Sequence, residues 1–577
     1  MAWYDEAVFY HIYPLGLTGA PKQNDYGEPV HRLNTLLPWI EHLRRLGFTA
    51  LYIGPLFQSV GHGYETTDYR LLDSRLGTNE DLKNFVAACP EAGLRVIFDG
   101  VFNHTGRDFF AFKDLQKNRE GSAYRDWYCN VNFWGNNEYN DGFSYENWGG
   151  YNLLVKLNQR NPAVRDYICD LIRFWVSEFD VDGIRLDAAD VLDFEFMKAL
   201  RCTADRVKPD FWLMGEVIHG DYSRWANENT LHSVTNYALH KALYSGHNDH
   251  NYFEIAHTVQ RTNGLVPAHI KLYNFVDNHD VERIITKLMN KAHYLPVHIL
   301  LYTLPGIPSV YYGSEFGIEG HKERWSDDSL RPYIDLDEHR DDYIYNPCTA
   351  LIASLGALHR QYSQDLVCGD YRQLSLTTQQ YVFARGRLIV AVNNSDGEAW
   401  LNVEANAPAY VGLLSGRHIE SDGGRLNFNL PGAGGDIFAP DDGQTKPEPP
   451  VSEEAPAPVK EEPAPPVREE VLEPIRVKPV ARAEKKDEQP RQKPKAPEKK
   501  AMTIEVVQRP QEEPKAETRP EDVEIPDIPY DLMTVEQLQA VILAKMAKNG
   551  PVTERMRRDV IENIWHNSLV NWANSFR

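Results

Sequence analysis

Three acidic residues sit at or just past the ends of candidate strands. Asp187 closes the run VDGIRLDA (181–188), Glu216 sits in FWLMGEV (211–217), and Asp280 ends FVDNHD (275–280). Each follows a short, β-rich apolar segment, where an unpaired charge is costly. A structural ion pair accounts for any one of them, but three at corresponding positions point to chemistry. Two carboxyl groups facing one glycosidic bond are enough to break it. One attacks or stabilises the sugar carbon, and the other protonates the leaving oxygen. Arg185 lies two residues before Asp187, and on a strand the side chains at i and i+2 point the same way. That spacing places a cation beside Asp187 and favours its ionised, nucleophilic form. His104 and His279 supply further hydrogen-bond donors at neighbouring strand ends.

These residues need a scaffold that brings distant segments to one place. Eight strand candidates can be read at residues 7–14, 49–55, 94–104, 181–188, 211–217, 232–237, 269–276 and 309–316. Helical stretches alternate with them. One is residues 37–46, where Trp39, Ile40, Leu43 and Leu46 share a face and Gly47 stops the helix. Another is residues 162–179, which opens on Pro162 and buries Ile168, Leu171, Ile172 and Trp175. Regular alternation predicts parallel strands joined by crossovers, and eight units predict a closed (β/α)8 barrel. The active face of such a barrel lies at the C-terminal ends of the strands, where Asp187, Glu216 and Asp280 fall.

The expected fold class is therefore α/β. Residues 1–104 and 160–345 form the barrel, and residues 105–159 form an inserted subdomain, rich in Trp, Tyr, Asn and Gly, that overhangs the active face. Residues 346–440 read as a C-terminal β-sandwich domain, with strand candidates at 380–384, 387–393, 399–403 and 425–430 after a helix at 350–361. Residues 441–525 are dominated by Pro, Glu, Lys and Ala, a composition that cannot bury a core, and they read as a disordered linker. Residues 526–577 turn helical again. Thr534 and Gln537 form a capping-box pattern ahead of a stripe of Val535, Leu538, Val541, Ile542 and Met546. A second helix is expected from about residue 553. This terminal piece is expected to dock to a protein partner or to a second copy.

The segments DGVFNH (99–104), GIRLD (183–187), GEV (215–217) and FVDNHD (275–280) resemble, in order, the motifs of the α-amylase family, glycoside hydrolase family 13. GYETTDY (63–69) and GIPSVYYGSEFG (306–317) resemble two further segments of that family. The resemblance spans residues 3–440. It implies a nucleophilic Asp187, a Glu216 that acts as acid and then base, and an Asp280 that grips ring hydroxyls and favours the distorted transition state. It further implies that His104, His279 and Arg185 line the site and that Tyr64 stacks under the sugar. Asp99 and Asn103 resemble the family's structural pair, with Asn103 a candidate ligand of a structural calcium; no other cofactor is implied. LVKLN (154–158) and the EVIH run ending at His219 resemble the neopullulanase, cyclomaltodextrinase and maltogenic amylase group. His219 is accordingly a substrate-binding candidate.

The implied activity is hydrolysis of α-1,4 bonds, with α-1,6 bonds also open, in maltodextrins or starch fragments. A transglycosylase using the same intermediate and a silent glucan-binding scaffold are the alternatives. The intact acids weigh against the scaffold. A formal net charge of −22 gives no clustered positive field for nucleic acid. No run is apolar and long enough for a membrane span. Six dispersed cysteines without a C-x-x-C pair and no secretory signal lead to the expectation of a reducing, cytoplasmic setting.

Overall fold

The computed structural model describes residues 2–324, 326–441 and 535–549. Eight strands form one parallel sheet: β1 (Phe9–Ile12), β2 (Ala50–Ile53), β3 (Arg95–Gly100), β4 (Gly183–Leu186), β5 (Trp212–Gly215), β6 (Ser233–Val234), β7 (Tyr273–Phe275) and β8 (Ile307–Tyr311). Their spatial order is β6-β5-β4-β3-β2-β1-β8-β7. The ring closes just beyond β6, where Thr235 bridges Tyr273 in parallel and the Asn236 N–H donates to the Tyr273 carbonyl at 2.9 Å. All eight candidate strands are present, and each is shorter than its sequence run.

Alternation along these strands sorts their side chains into layers. Phe9, Ala50, Ile97, Trp212, Tyr273 and Ile307 pack together as one apolar cluster. Two residues further along the first four strands come His11, Tyr52, Asp99 and Arg185, all buried. The barrel is thus apolar below and polar at its C-terminal rim. The opposite faces of the strands, such as Tyr10, Leu51, Phe98 and Leu213, join a second cluster with the surrounding helices.

The helix Pro162–Phe179 shows how local signals anchor this outer layer. Asn161 caps it by accepting from the Ala163 N–H at 2.9 Å, Pro162 starts it, and Asp180 ends it in the left-handed region. Trp175 is fully buried. Its ring stacks on Phe57 at 4.5 Å, and its indole N–H donates to the Tyr69 carbonyl at 2.9 Å. Trp175→Ala is expected to cost about 3–5 kcal/mol, read as a lower denaturant midpoint in equilibrium unfolding. The helix Leu37–Arg45 ends as its sequence suggests. Gly47 adopts φ +83°, and a Cβ there would come within 2.9 Å of Gly356 Cα, in the helix Pro347–Gln361.

One candidate strand is broken. The run 94–104 was expected to be continuous, but β3 stops at Gly100, level with Leu186 at the end of β4. Beyond that pair no barrel neighbour remains. His104–Thr105 instead joins Tyr151–Lys156, which also pairs with Asn147–Trp148, in a three-stranded antiparallel sheet. The chain after β2 also makes a hairpin of Phe57–Ser59 and Thr66–Leu72, which carries Tyr64.

Past the barrel, eight antiparallel strands follow: β9 (Tyr371–Leu376), β10 (Gln380–Arg385), β11 (Leu388–Asn393), β12 (Ala399–Glu404), β13 (Ala409–Gly412), β14 (His418–Asp422), β15 (Arg425–Leu430) and β16 (Gly435–Pro440). Four of them were not anticipated. Leu401, Val403, Leu426, Phe428 and Phe438 lie in their shared core. All six cysteines are free thiols. In a separate unit, Val535–Asn549 is helical, with Leu538, Val541 and Ile542 buried. The Thr534 cap, the second helix and, apart from Asp441, the linker lie outside the described residues. No helix among the described residues is long and apolar enough to cross a membrane.

Candidate active site

Arg185 organises the site. It points inward from β4 with its side chain 3% exposed. Nη1 donates to Asp99 Oδ1 at 2.9 Å and to Asp187 Oδ1 at 3.0 Å, and Nη2 contacts Glu216 Oε2 at 2.8 Å. One guanidinium therefore holds carboxylates from β3, from the residue after β4 and from the residue after β5. Glu216 Oε2 also accepts from the Ala188 N–H at 3.1 Å.

Asp280 lies across the rim in the turn after β7. Asn278 Oδ1 shapes that turn by accepting the N–H groups of Asp280 at 2.8 Å and Val281 at 3.1 Å. Asp280 Oδ2 faces His279 Nε2 at 3.1 Å, and Oδ1 accepts from Arg331 Nη2 at 2.9 Å. Tyr64 joins the two halves. Its hydroxyl reaches Asp99 Oδ2 at 3.1 Å and pairs with His279 Nε2, and its ring stacks on His279 at 5.5 Å and 11°.

The electrostatics separate the acids. Burial pushes the Asp187 carboxyl well above its ordinary value; Arg185 pulls it down, while Glu216, Asp99 and Asp280 add to the rise. The sequence places Arg185 beside Asp187 to keep it ionised; the two are in contact, and that cation is shared among three carboxylates. Asp280 goes the other way. Burial again favours its neutral form, yet His279, Arg331 and Lys322 together hold its carboxyl well below the usual range. Asp190, pushed up to about 6 by burial and by Glu216, extends the acidic cluster.

Two candidates sit differently from expectation. His104 is 1% exposed. Its Nε2 lies 3.1 Å from the Tyr64 carbonyl and its Nδ1 lies 3.3 Å from the Asn103 amide. Both ring nitrogens are engaged by protein, so His104 supports the Tyr64 hairpin rather than facing open space. Burial lowers its pKa to about 3. Asn103 is fully buried; its Oδ1 accepts from Gln159 at 3.4 Å and its carbonyl from Leu157 at 3.0 Å. Calcium takes six to eight oxygens, and no group of three or more His, Cys, Asp or Glu gathers as a metal site among the described residues. The surroundings of Asn103 do not fit that ion.

His219 lies on the wall of a cavity of about 910 Å³ whose lining includes Glu216 and Asp280. The same wall carries Tyr237, which the sequence reading missed. Its hydroxyl donates to Glu216 Oε1 at 3.3 Å and accepts from Asn278 Nδ2 at 3.2 Å. Tyr237 is the last residue of the sixth candidate run, 232–237, and opens the helix Tyr237–Asn248, so the strand-end rule that picked out the acids would have found it. Arg331 lies in irregular chain after β8 and left no such signal.

A (β/α)8 barrel that gathers carboxylates from the ends of β4, β5 and β7 around one rim defines a glycoside hydrolase scaffold. Residues 30–343 match the family model for the α-amylase catalytic domain, and the chain belongs to the α-amylase family of glycoside hydrolases. It is 30% identical over 420 residues to a cyclomaltodextrinase of Thermoanaerobacter pseudethanolicus, covering 68% of this chain and 71% of that one. It is 29% identical over 462 residues to neopullulanase 2 of Thermoactinomyces vulgaris, covering 74% and 76%. A solved debranching enzyme from Nostoc punctiforme, soaked with acarbose, superposes with a TM-score of 0.65 at 27% identity, covering 76% of this chain and 98% of that one.

Proposed function

We propose that this protein cleaves α-1,4-glucosidic bonds in maltodextrins, with α-1,6 bonds as a further substrate, by double displacement with retention. The names of the relatives above support α-glucans as the substrate class. The observation that carries the mechanism is the shared guanidinium. Arg185 holds Asp187 and Glu216 side by side, and in retaining enzymes the two carboxyl groups stand about 5–5.5 Å apart.

In this reading the Asp187 carboxylate attacks the anomeric carbon while Glu216 protonates the departing oxygen. Water then enters, Glu216 takes its proton, and the glycosyl–Asp187 ester is released with a second inversion. Glu216 Oε2 is fixed by Arg185 and the Ala188 N–H, and Oε1 is left to exchange the proton, next to the Tyr237 hydroxyl. Asp280, held ionised by its cationic neighbours, receives sugar hydroxyls and opposes the positive charge that develops on the ring. Tyr64 and His279 offer a stacked surface beneath that sugar.

The test is stereochemical. Proton NMR of a fresh maltooligosaccharide digest is expected to show the α-anomer of the new reducing end first, with the β-anomer growing in by mutarotation. Initial appearance of the β-anomer would eliminate double displacement. The pH profile offers a second check. Asp187 must be ionised to attack and its pKa is raised. The acidic limb of kcat/KM is therefore expected to fall away above the ordinary aspartate value of about 3.9, as measured by initial rates across an acid pH series.

A further inference from the structure

The cavity beside Glu216 is not lined as a neutral glucan alone would require. In a chain of net charge −22, its wall carries Lys241, Arg261, Lys287 and Lys322, together with His219, His240 and His257. Apart from Glu216 and Asp280, its one carboxylate is Glu254. Lys241 pairs with Glu254 at 3.0 Å and Lys287 with Glu282 at 3.7 Å. These are partly exposed pairs of the kind that contribute little and exchange readily. Lys322 donates to the Asp280 carbonyl at 2.6 Å and stands 3.5 Å from Asp327. Arg261 has no carboxylate within salt-bridge distance among the described residues. Tyr244 forms part of the wall, with the Lys287 ammonium 4.5 Å from its ring centre.

The side of the reaction this cavity serves follows from which acid faces it. Glu216 lines it and Asp187 does not. If Glu216 protonates the departing oxygen, the cavity receives the departing sugar. We infer that this arm of the cleft accepts a leaving-group sugar carrying a phosphoryl ester. The inference rests on the double-displacement roles assigned above. A phosphoryl dianion presents three acceptor oxygens in three directions, which matches cations arriving from the two helices Tyr237–Asn248 and Tyr252–Leu265 and from the chain after β7 and β8. A single carboxylate would be served by one arginine. Contacts between these cations and an anionic ester would be screened by salt.

The test compares maltotriose with maltotriose phosphorylated at O6 of the reducing-end glucose, using the full-length protein at neutral pH. The phosphorylated sugar is expected to show kcat/KM about tenfold higher, mostly through KM, since one charge-assisted contact is worth about that factor. The advantage should shrink in about 0.5 M salt. It should fall toward unity in the Lys241→Gln/Arg261→Gln double variant, whereas Arg372→Gln on β9 leaves the ratio where it was. Cleavage of maltotriose with equal or lower kcat/KM for its phosphate overturns the inference and leaves the proposed function standing. If neither sugar is cleaved, the proposed function fails, and calorimetric binding of the two sugars decides the anion site by itself. Tighter binding of the phosphate ester supports it and equal binding overturns it. Inorganic phosphate is the remaining arm. If it binds as tightly as the phosphorylated sugar, the site serves free phosphate and the inference about a leaving-group sugar is overturned.

Discussion

Asp187→Asn is expected to lower kcat on maltooligosaccharides by about 10⁴-fold or more, because removing a nucleophile removes the covalent route. Reducing-sugar release under initial-rate conditions measures it. The fold is expected to survive, since Arg185 keeps Asp99 and Glu216 as partners. Stability should move the opposite way to activity. The Asp187 carboxyl is raised in the folded chain, so the native state favours its neutral form. Its contribution to stability is best at low pH and is lost as pH rises from the unfolded value through the raised folded one. At neutral pH the ionised carboxylate therefore carries a cost that an asparagine does not. Thermal unfolding should show the variant melting above the wild type at neutral pH, with the gap closing at about pH 3. Full activity in this variant would remove Asp187 from the mechanism. A melting point below wild type at neutral pH would show that Arg185 wins over burial.

Arg185→Met should be the most destabilising single change at the rim. It leaves Asp99, Asp187 and Glu216 facing one another with no cation between them. Stripping one partner from a buried ion pair costs about 3–5 kcal/mol, and here one residue serves three acids. The three like charges then repel one another in a buried setting with no counterion. Destabilisation is accordingly expected to be greatest at alkaline pH and to ease as the solution is acidified, read as denaturant midpoints across that range. Activity should fall along with it, because two carboxylates that repel cannot hold the spacing that attack and protonation require. Arg185→Lys should rescue little. A single ammonium cannot reproduce the two-nitrogen fork that touches Asp187 with Nη1 and Glu216 with Nη2. If Arg185→Met unfolds with wild-type midpoints at every pH, the shared guanidinium is not what holds the acids.

Much of this protein could be read along the chain because its repeating signals are local. The alternation GIRLD sets Arg185 and Asp187 on one face whatever else the chain does. Asn161, Pro162 and the stripe through Trp175 specify a helix and the side it buries. Eight apolar runs separated by helical periods leave a parallel barrel as the economical solution, and its active rim follows from strand direction. The acids were legible for the same reason, each being fixed by its position at a strand end.

Closure of the barrel decided the rest. That Arg185 answers to Asp99, Asp187 and Glu216 together depends on residues up to 86 positions away, and no local spacing encodes it. The sign of the Asp187 shift follows from that sharing and from burial. His104 looked like a rim donor, but the hairpin carrying Tyr64 folds over it and takes Nε2. Arg331 reaches Asp280 from 51 residues further along, out of irregular chain that carries no period. The sequence by itself determined the eight barrel strands and the acids they carry toward the rim, because hydrogen-bonding period and side-chain alternation act over a few residues. Only the tertiary structure decided how those residues share charge, since electrostatics in a buried site is set by whichever groups are close in space, however far apart they stand in the chain.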